Sequence, residues 1–362
     1  MNKKQTNQNI LRWYWEDSDN PRPTIIRQCF GHLDINIIDI TIPRNPGFWV
    51  QWQSYLQNKQ AFRNADLIYI QAFQNKLIPL AWIITKLHGS QLLFDFFVSQ
   101  YDAFVNDYKK HKGLQSVKFY LIDWLSIYLP AHVLVDTQHH FDHFSNLLNL
   151  KEKSYFVVPV GFDENLIEIS IPKKQAMANS FKIVFWGNII PLQGVDVIIE
   201  AARILEKTSL KIEFHIYAPE SRWNVEWVTS LRQGLPENIS YHGFQPLQEI
   251  LKFSKDCDLI LGIFGNTIKA KNVVPNKVYQ GLSTGRPVLT ARTPAMESLF
   301  IEGQHYLSCG PGNPEELANA IINAIQNYDQ AYHIGIRGQR QLVDNFNSKI
   351  LSEKLHNLIN AL

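Results

Sequence analysis

Cysteine is scarce in this chain, and its three copies stand far apart: Cys29, Cys257 and Cys309 in 362 residues, with no CxxC pair. That spacing excludes a disulfide scaffold and a zinc ribbon, and it suits a reducing compartment. A surplus of one charge is missing too. Lys and Arg number 35 against 33 Asp and Glu, a formal net charge of +2. Proteins that track nucleic-acid phosphates concentrate many more cations, so nucleic acid is not expected as the main partner. There is no low-complexity tract and no short-period repeat. The longest apolar runs, 77–87 and 119–129, are about half of the roughly 20 residues a membrane span needs, and the second contains Asp123. No apolar stretch follows the lysines of residues 1–9, so no secretory signal is expected. These absences predict a cytoplasmic protein, at most peripheral at the inner face of a membrane.

What is present describes a folded α/β chain. Hydrophobic residues make up 45% and charged ones 19%, the reverse of the balance that disorder needs. The length suits two domains, each with its own core. Strand-like runs fall at 36–40, 67–70, 91–94, 133–135 and 155–158 in the first half, and at 183–185, 213–217, 239–241, 259–262, 287–289 and 306–308 in the second. Segments of helical periodicity lie between most of them, clearest at 79–87, which should end at Gly89. Strands alternating with helices predict βαβ units and parallel sheets. The polar stretch 168–180, with Pro172, Lys173 and Lys174, reads as the linker.

The most informative stretch is 273–290, which reads loop, helix, turn, buried strand. Pro275 suits the first helical position, where its missing N–H would have had no partner. Lys277 then stands in the first turn, against the helix dipole, and so needs another reason to be there. The unsatisfied N–H groups of that turn with an added ammonium form a site suited to phosphate. Gly285 closes the helix and residues 287–290 run on as a buried strand.

Here the chain resembles the family 4 glycosyltransferases, retaining enzymes of the GT-B fold, and within them a branch with a Pro-Asn-Lys helix start. The segments 181–187 with 194–196, 239–244, 293–297 and 310–317 agree in order with that family's donor domain. The resemblance covers about residues 155–362 well and is weaker at 94–102 and 157–161. It implies two Rossmann-like domains whose parallel sheets face a cleft: residues 1–170 on the acceptor side, 171–347 binding a nucleotide sugar, and a C-terminal helix, 348–362, packing back on the first domain. The implied activity is retaining transfer of a hexose from a nucleotide diphosphate sugar to a hydroxyl, without a cofactor or bound metal. Family habit points to a glycan or lipid-linked glycan as acceptor, in surface polysaccharide synthesis. A nucleotide-sugar 2-epimerase of the same fold, and a GT-B binding protein that has lost catalysis, are the alternatives.

The resemblance carries donor-binding roles to Gly187, Asn188, Asn272, Val274, Asn276, Lys277 and Gln280. Gly187 ends a strand, where a missing Cβ lets a backbone N–H approach a diphosphate. Where the family has two cations beside it, this chain has Asn188 and Gln193, leaving Lys277, with Lys269 and Lys271 nearby. The family's paired glutamates fall on Asn272 and Gln280, so the ribose would lose charge-assisted acceptance. On the acceptor side the family's histidine is Phe94, and Asp95 and Asp102 are the acids proposed as catalytic, with Ser99 and Tyr101 as hydrogen-bonding partners.

Three other features read more plainly. Gly310-Pro311-Gly312 opens a helix start capped by Asn313 with Glu316, and does not begin a dinucleotide fingerprint. His139, His140 and His143 read as surface histidines, since no further residue completes a zinc spacing. The aromatic-rich run 119–130, with Lys109, Lys110, His111 and Lys112 before it, reads as a helix packed on a sheet; a peripheral membrane contact is the alternative.

Overall fold

The computed structural model describes residues 8–16, 20–107, 112–150, 153–166, 169–174, 180–219 and 234–361. Lys109, Lys110, His111 and most of the expected linker's second half lie outside those residues. The chain forms two compact units, Met1–Val160 with Ser348–Leu362, and Gly161–Asn347.

The first unit holds six parallel strands in the order β2-β1-β3-β4-β5-β6. They are β1 (Asn9–Tyr14), β2 (Asn36–Thr41), β3 (Leu67–Ile70), β4 (Gln91–Asp95), β5 (His132–Val135) and β6 (Tyr155–Val157). Helices cover the sheet, so the strands read as apolar runs, and five stand where those runs place them. The runs do not mark β1, because Arg12 interrupts it. That arginine is buried in register with Asp39 of β2 and donates to it across the strands, Nε to Oδ1 at 2.6 Å. The core joins Leu11, Ile68, Leu92 and Val133 of the sheet to Phe62, Leu80, Ile84 and Ile127 of the helices. The helix expected at 79–87 runs Ile78–His88 and ends on Gly89 at φ +76°.

The second unit repeats the design with β7 (Phe181–Trp186), β8 (Ile212–Tyr217), β9 (Ile239–Tyr241), β10 (Leu259–Leu261), β11 (Val288–Ala291) and β12 (Leu307–Cys309). Its order is β12-β11-β10-β7-β8-β9. The chain steps outward from β7 to β9, then returns to the other side of β7 for β10. Beyond the carboxyl ends of β7 and β10 the following loops part, and that switch point is where open α/β sheets bind ligands. The two loops are tied backbone to backbone. Phe264 N–H donates to the Gln193 carbonyl at 3.0 Å, and a Cβ on Gly194 would lie 2.5 Å from Gly265 N.

The units divide at Val160/Gly161, earlier than the boundary expected at 170. Residues just past the division already bond within the second unit: Gln339 Nε2 donates to the Ser170 carbonyl at 3.2 Å and Tyr332 to that of Pro172 at 2.8 Å. The helix Ser348–Ala361 belongs to the first unit, burying Leu351, Leu355 and Leu358 and packing on the helix Pro21–Gly31. Among the described residues no helix is long and apolar enough to cross a membrane.

Helix packing gives two glycines opposite sensitivities. A Cβ on Gly335, within the helix Tyr328–Asn345, would lie 2.6 Å from the backbone of Arg286 and Pro287, whereas Gly31 has nothing within 4 Å. Gly335→Ala is expected to destabilise by about 1–3 kcal/mol in spite of its better helix propensity. Gly31→Ala should stabilise by about 0.4–1 kcal/mol. Denaturant unfolding of the two variants checks both signs.

Candidate functional site

The helix Asn276–Ser283 follows β10 and carries Lys277 in its first turn. Pro275 stands one position earlier than expected, as the residue before the helix, with extended ψ of 144°. Lys277 is only 5% exposed. Its Nζ lies 3.6 Å from the centre of the Phe185 ring and donates to Gln193 Oε1. No carboxylate pairs with it among the described residues, and burial holds its pKa well below the ordinary lysine value. Gly187, just after β7, makes room for the ammonium: a Cβ there would meet Nζ at 2.7 Å, and φ is +145°. Its N–H donates to the Tyr217 carbonyl at 3.0 Å.

The remaining donor-side residues surround this point unevenly. Gln280, one turn along the same helix, accepts a hydrogen bond from Trp186 Nε1 at 3.0 Å. Asn276 is half-buried, and its Oδ1 is buried without a hydrogen-bond partner. Val274 is buried under the helix start. Asn188 is exposed on the loop, and Asn272 turns its amide back to the Ile268 carbonyl at 2.9 Å. Lys277, Gly187, Gln193 and Gln280 therefore share one locality, joined through Phe185 and Trp186 at the end of β7. Lys271 is exposed on the short helix Ile268–Asn272.

In the first unit both acids expected at the acceptor side are buried. Asp95, at the end of β4, has no exposed surface and receives the Arg22 Nε at 2.8 Å on both oxygens. Burial raises its pKa, the Arg22 charge opposing the shift. Arg22 also donates to the Val158 carbonyl at 2.9 Å, and its guanidinium lies 5.2 Å from the Phe97 ring centre. An acid enclosed in this way positions Arg22; it presents no oxygen to solvent. Asp102 accepts from Asn106 at 3.1 Å, and its Oδ2 lies 3.3 Å from His143 Nε2. Ser99 links it to Asp123: the Asp102 N–H donates to Ser99 Oγ at 2.9 Å, and Ser99 donates to Asp123 at 2.6 Å. Burial pushes the Asp123 carboxyl up to about 6, against the donors Ser99 and Tyr101 N–H.

The histidines correct the surface reading. His140 is buried, and its Nδ1 bonds Asp136 Oδ1 at 2.5 Å one turn away, while His143 faces Asp102. Arg22, Asp123, Asp136 and His140 are the residues that sequence reasoning missed here. A signal for Arg22 was present: like Lys277, it is a cation in the first turn of a helix, here between Pro21 and Pro23. The capping at 313–316 is as read, except that Glu316 turns to the Gly310 N–H at 2.7 Å and to the Asn313 amide.

The family model for glycosyl transferases group 1 matches residues 180–327, the stretch that holds Gly187 and Lys277. No curated protein matches the chain. Among solved structures, HepE of Anabaena in complex with UDP and glucose is similar at a TM-score of 0.70 and 16% identity, over 98% of this chain and 100% of that one. Sucrose-phosphate synthase of Thermosynechococcus elongatus aligns at 0.71 and 12%, over 98% of both chains. A glycosyltransferase of Rickettsia africae aligns at 0.66 and 13%, over 97% of both. At these identities the likeness is one of fold, and the fold is the two-domain α/β GT-B fold.

The enclosure of Lys277 makes a pH prediction. Its folded pKa lies well below 10.5, so between the two values the unfolded chain binds more protons and stability rises with pH. Burial of this lysine is therefore costliest below its folded pKa and costs nothing once pH exceeds 10.5. Lys277→Met is expected to raise the melting temperature at pH 7, and the difference should close as pH approaches 10.5. Gly187→Ala should lower it, through the displaced ammonium and the strained φ. Differential scanning calorimetry across pH measures both.

Proposed function

We propose that the protein is a glycosyltransferase moving a hexose from a nucleoside diphosphate sugar, UDP-glucose or a close relative, to a glycan or lipid-linked glycan hydroxyl. The carrying observation is Lys277: a buried cation without a carboxylate partner, at a helix N-terminus, beside a glycine loop, at the sheet's switch point. A diphosphate supplies the missing counter-charge, and the first N–H groups of the helix add to it. The group 1 family model and the HepE complexes with UDP, with UDP and glucose, and with UDP-glucose support the nucleotide.

In this reading the sugar–oxygen bond breaks as negative charge grows on the departing phosphate, where Lys277 stabilises it. The acceptor hydroxyl gives its proton to that phosphate oxygen, and configuration is retained. No metal takes part in the scheme. In the same reading Gln280 with Trp186 serves the ribose, Asn276 Oδ1 is a further acceptor, and Asn188, Val274 and Asn272 stand at the margin. Asp95 acts through Arg22, and Asp102 through His143. Three free, buried thiols fit a reducing compartment; a cytoplasmic site of action and a role in surface polysaccharide synthesis belong to the same proposal.

A second reading has a specific observation behind it. Lys277 already bonds Gln193, and Gln280 already bonds Trp186, which fits a protein that binds a sugar nucleotide and does not turn it over. Release of UDP from UDP-glucose, with and without acceptor glycans, separates the two.

Calorimetry tests the phosphate role. Lys277→Met should weaken UDP binding about ten- to a hundredfold, the worth of a charge-assisted hydrogen bond, and leave uridine unaffected. Lys271→Met should change neither. A bound diphosphate favours the charged form of Lys277, so proton exchange on UDP binding, read from enthalpies in buffers of different ionisation heat, should be uptake and not release. Equal losses for uridine and UDP would remove Lys277 from the phosphate.

A further inference from the structure

One face of the first unit's sheet is covered by the helices Phe48–Gln57, Lys59–Asn64, Ile78–His88 and Leu114–Tyr128. Their inner side chains fill the core already described. Their outer sides depart from what water favours, since a helix layer on a soluble domain shows mixed charges outward. Among the described residues, all ten exposed large hydrophobic side chains of this unit lie on three of these helices. Trp49 is 77% exposed and Leu114 89%. On the last helix Leu114, Val117 and Leu121 recur at helical spacing and form one outward stripe, and Ile83 and Leu87 stand on its neighbour.

The charges on these helices and on the residues that lead into them have one sign. Lys59, Arg63, Lys76, Lys86, Lys112 and Lys118 are all exposed. Across residues 48–64, 75–89 and 112–131 the only acid is Asp123, which is buried, although the whole chain holds 33 acids against 35 bases. The next acid, Asp66, opens β3 and accepts from the Asn9 N–H at 2.8 Å, at the sheet and not in the helix layer. Lys86 arches to within 6.0 Å of the Trp82 ring centre, its stem lying along apolar surface.

Apolar side chains interleaved with cations alone define the complementary surface. A second copy of the chain would bring like charges together. A surface of anionic headgroups over hydrocarbon accepts both components, the rings and aliphatic chains below and the ammonium groups among the phosphates. We propose that this helix face docks the protein on an anionic lipid bilayer, with Trp49, Leu87, Leu114 and Leu121 entering the interface. The inference does not depend on the nucleotide reading, since all of these residues belong to the first unit and Lys277 to the second.

Vesicle flotation of the full chain tests it, with phosphatidylcholine vesicles made with and without phosphatidylglycerol. The protein should float with the anionic vesicles only, and less in high salt. Lys86→Gln combined with Lys118→Gln should lower the partition about thirtyfold, from roughly fivefold per cation. Trp49→Glu combined with Leu121→Glu should abolish flotation, while Phe244→Glu, an exposed apolar position of the second unit, should leave it unchanged. All five positions are exposed, so unaltered melting establishes that the variants are folded. No flotation with anionic vesicles, equal flotation with neutral ones, or insensitivity to both double variants overturns the proposal. So does a dimer in sedimentation equilibrium that Leu121→Glu dissociates, in a protein that binds no vesicles.

Discussion

Lys277 holds an ammonium inside the second unit, 3.6 Å from the Phe185 ring centre, and much of the surrounding sequence answers to that placement. A charge taken out of water needs compensation, and here a ring face and one amide oxygen supply only part of it. Gly187 must lack a side chain so that the ammonium fits. The loops after β7 and β10 must stay together, which the Phe264–Gln193 backbone bond and the bare Gly194 secure. An anion is the component this arrangement lacks, and in the function proposed above a diphosphate at the sheet's switch point supplies it.

The first unit handles its buried charges differently. Arg22 and Asp95 neutralise each other inside the protein, while Arg12 reaches an exposed carboxylate, Asp39, in register on the neighbouring strand. A fully buried pair is sensitive to the loss of either partner, because the remaining charge is stranded. Around them Asp136 with His140, and Asp102 with His143, put acids against imidazoles near the ends of β4 and β5. This polar cluster differs in kind from the single cation of the second unit.

The outer helix layer adds a constraint of its own. Exposed tryptophan and leucine have no reason to persist on a surface that faces only water, and a one-signed fringe of lysines narrows what can cover them. A transferase acting on a lipid-linked glycan gains from being held where its acceptor is anchored, so the face and the proposed activity are mutually supportive while resting on separate residues.

Periodicity alone was enough for all eleven expected strands to fall within a residue or two of their places, and for both sheets to be parallel, because strands buried on two faces must be continuous apolar runs. Lys277 was legible for a local reason: a cation in a first helical turn conflicts with the dipole. The strand β1 escaped notice because a charged residue inside a strand looks like a break until its partner is seen. What sequence could not decide was pairing at a distance. Arg22 meets Asp95 across 73 residues, and Lys277 meets Gln193 across 84; the same acid or amide reads equally well as a solvated side chain until the chain closes around it. The local signals of helix, strand and cap belong to the sequence, since they depend on neighbours a turn or two away. Which charges are buried, which histidines are enclosed and which apolar side chains are left outside were decided by tertiary structure, because burial is a property of the assembled layers.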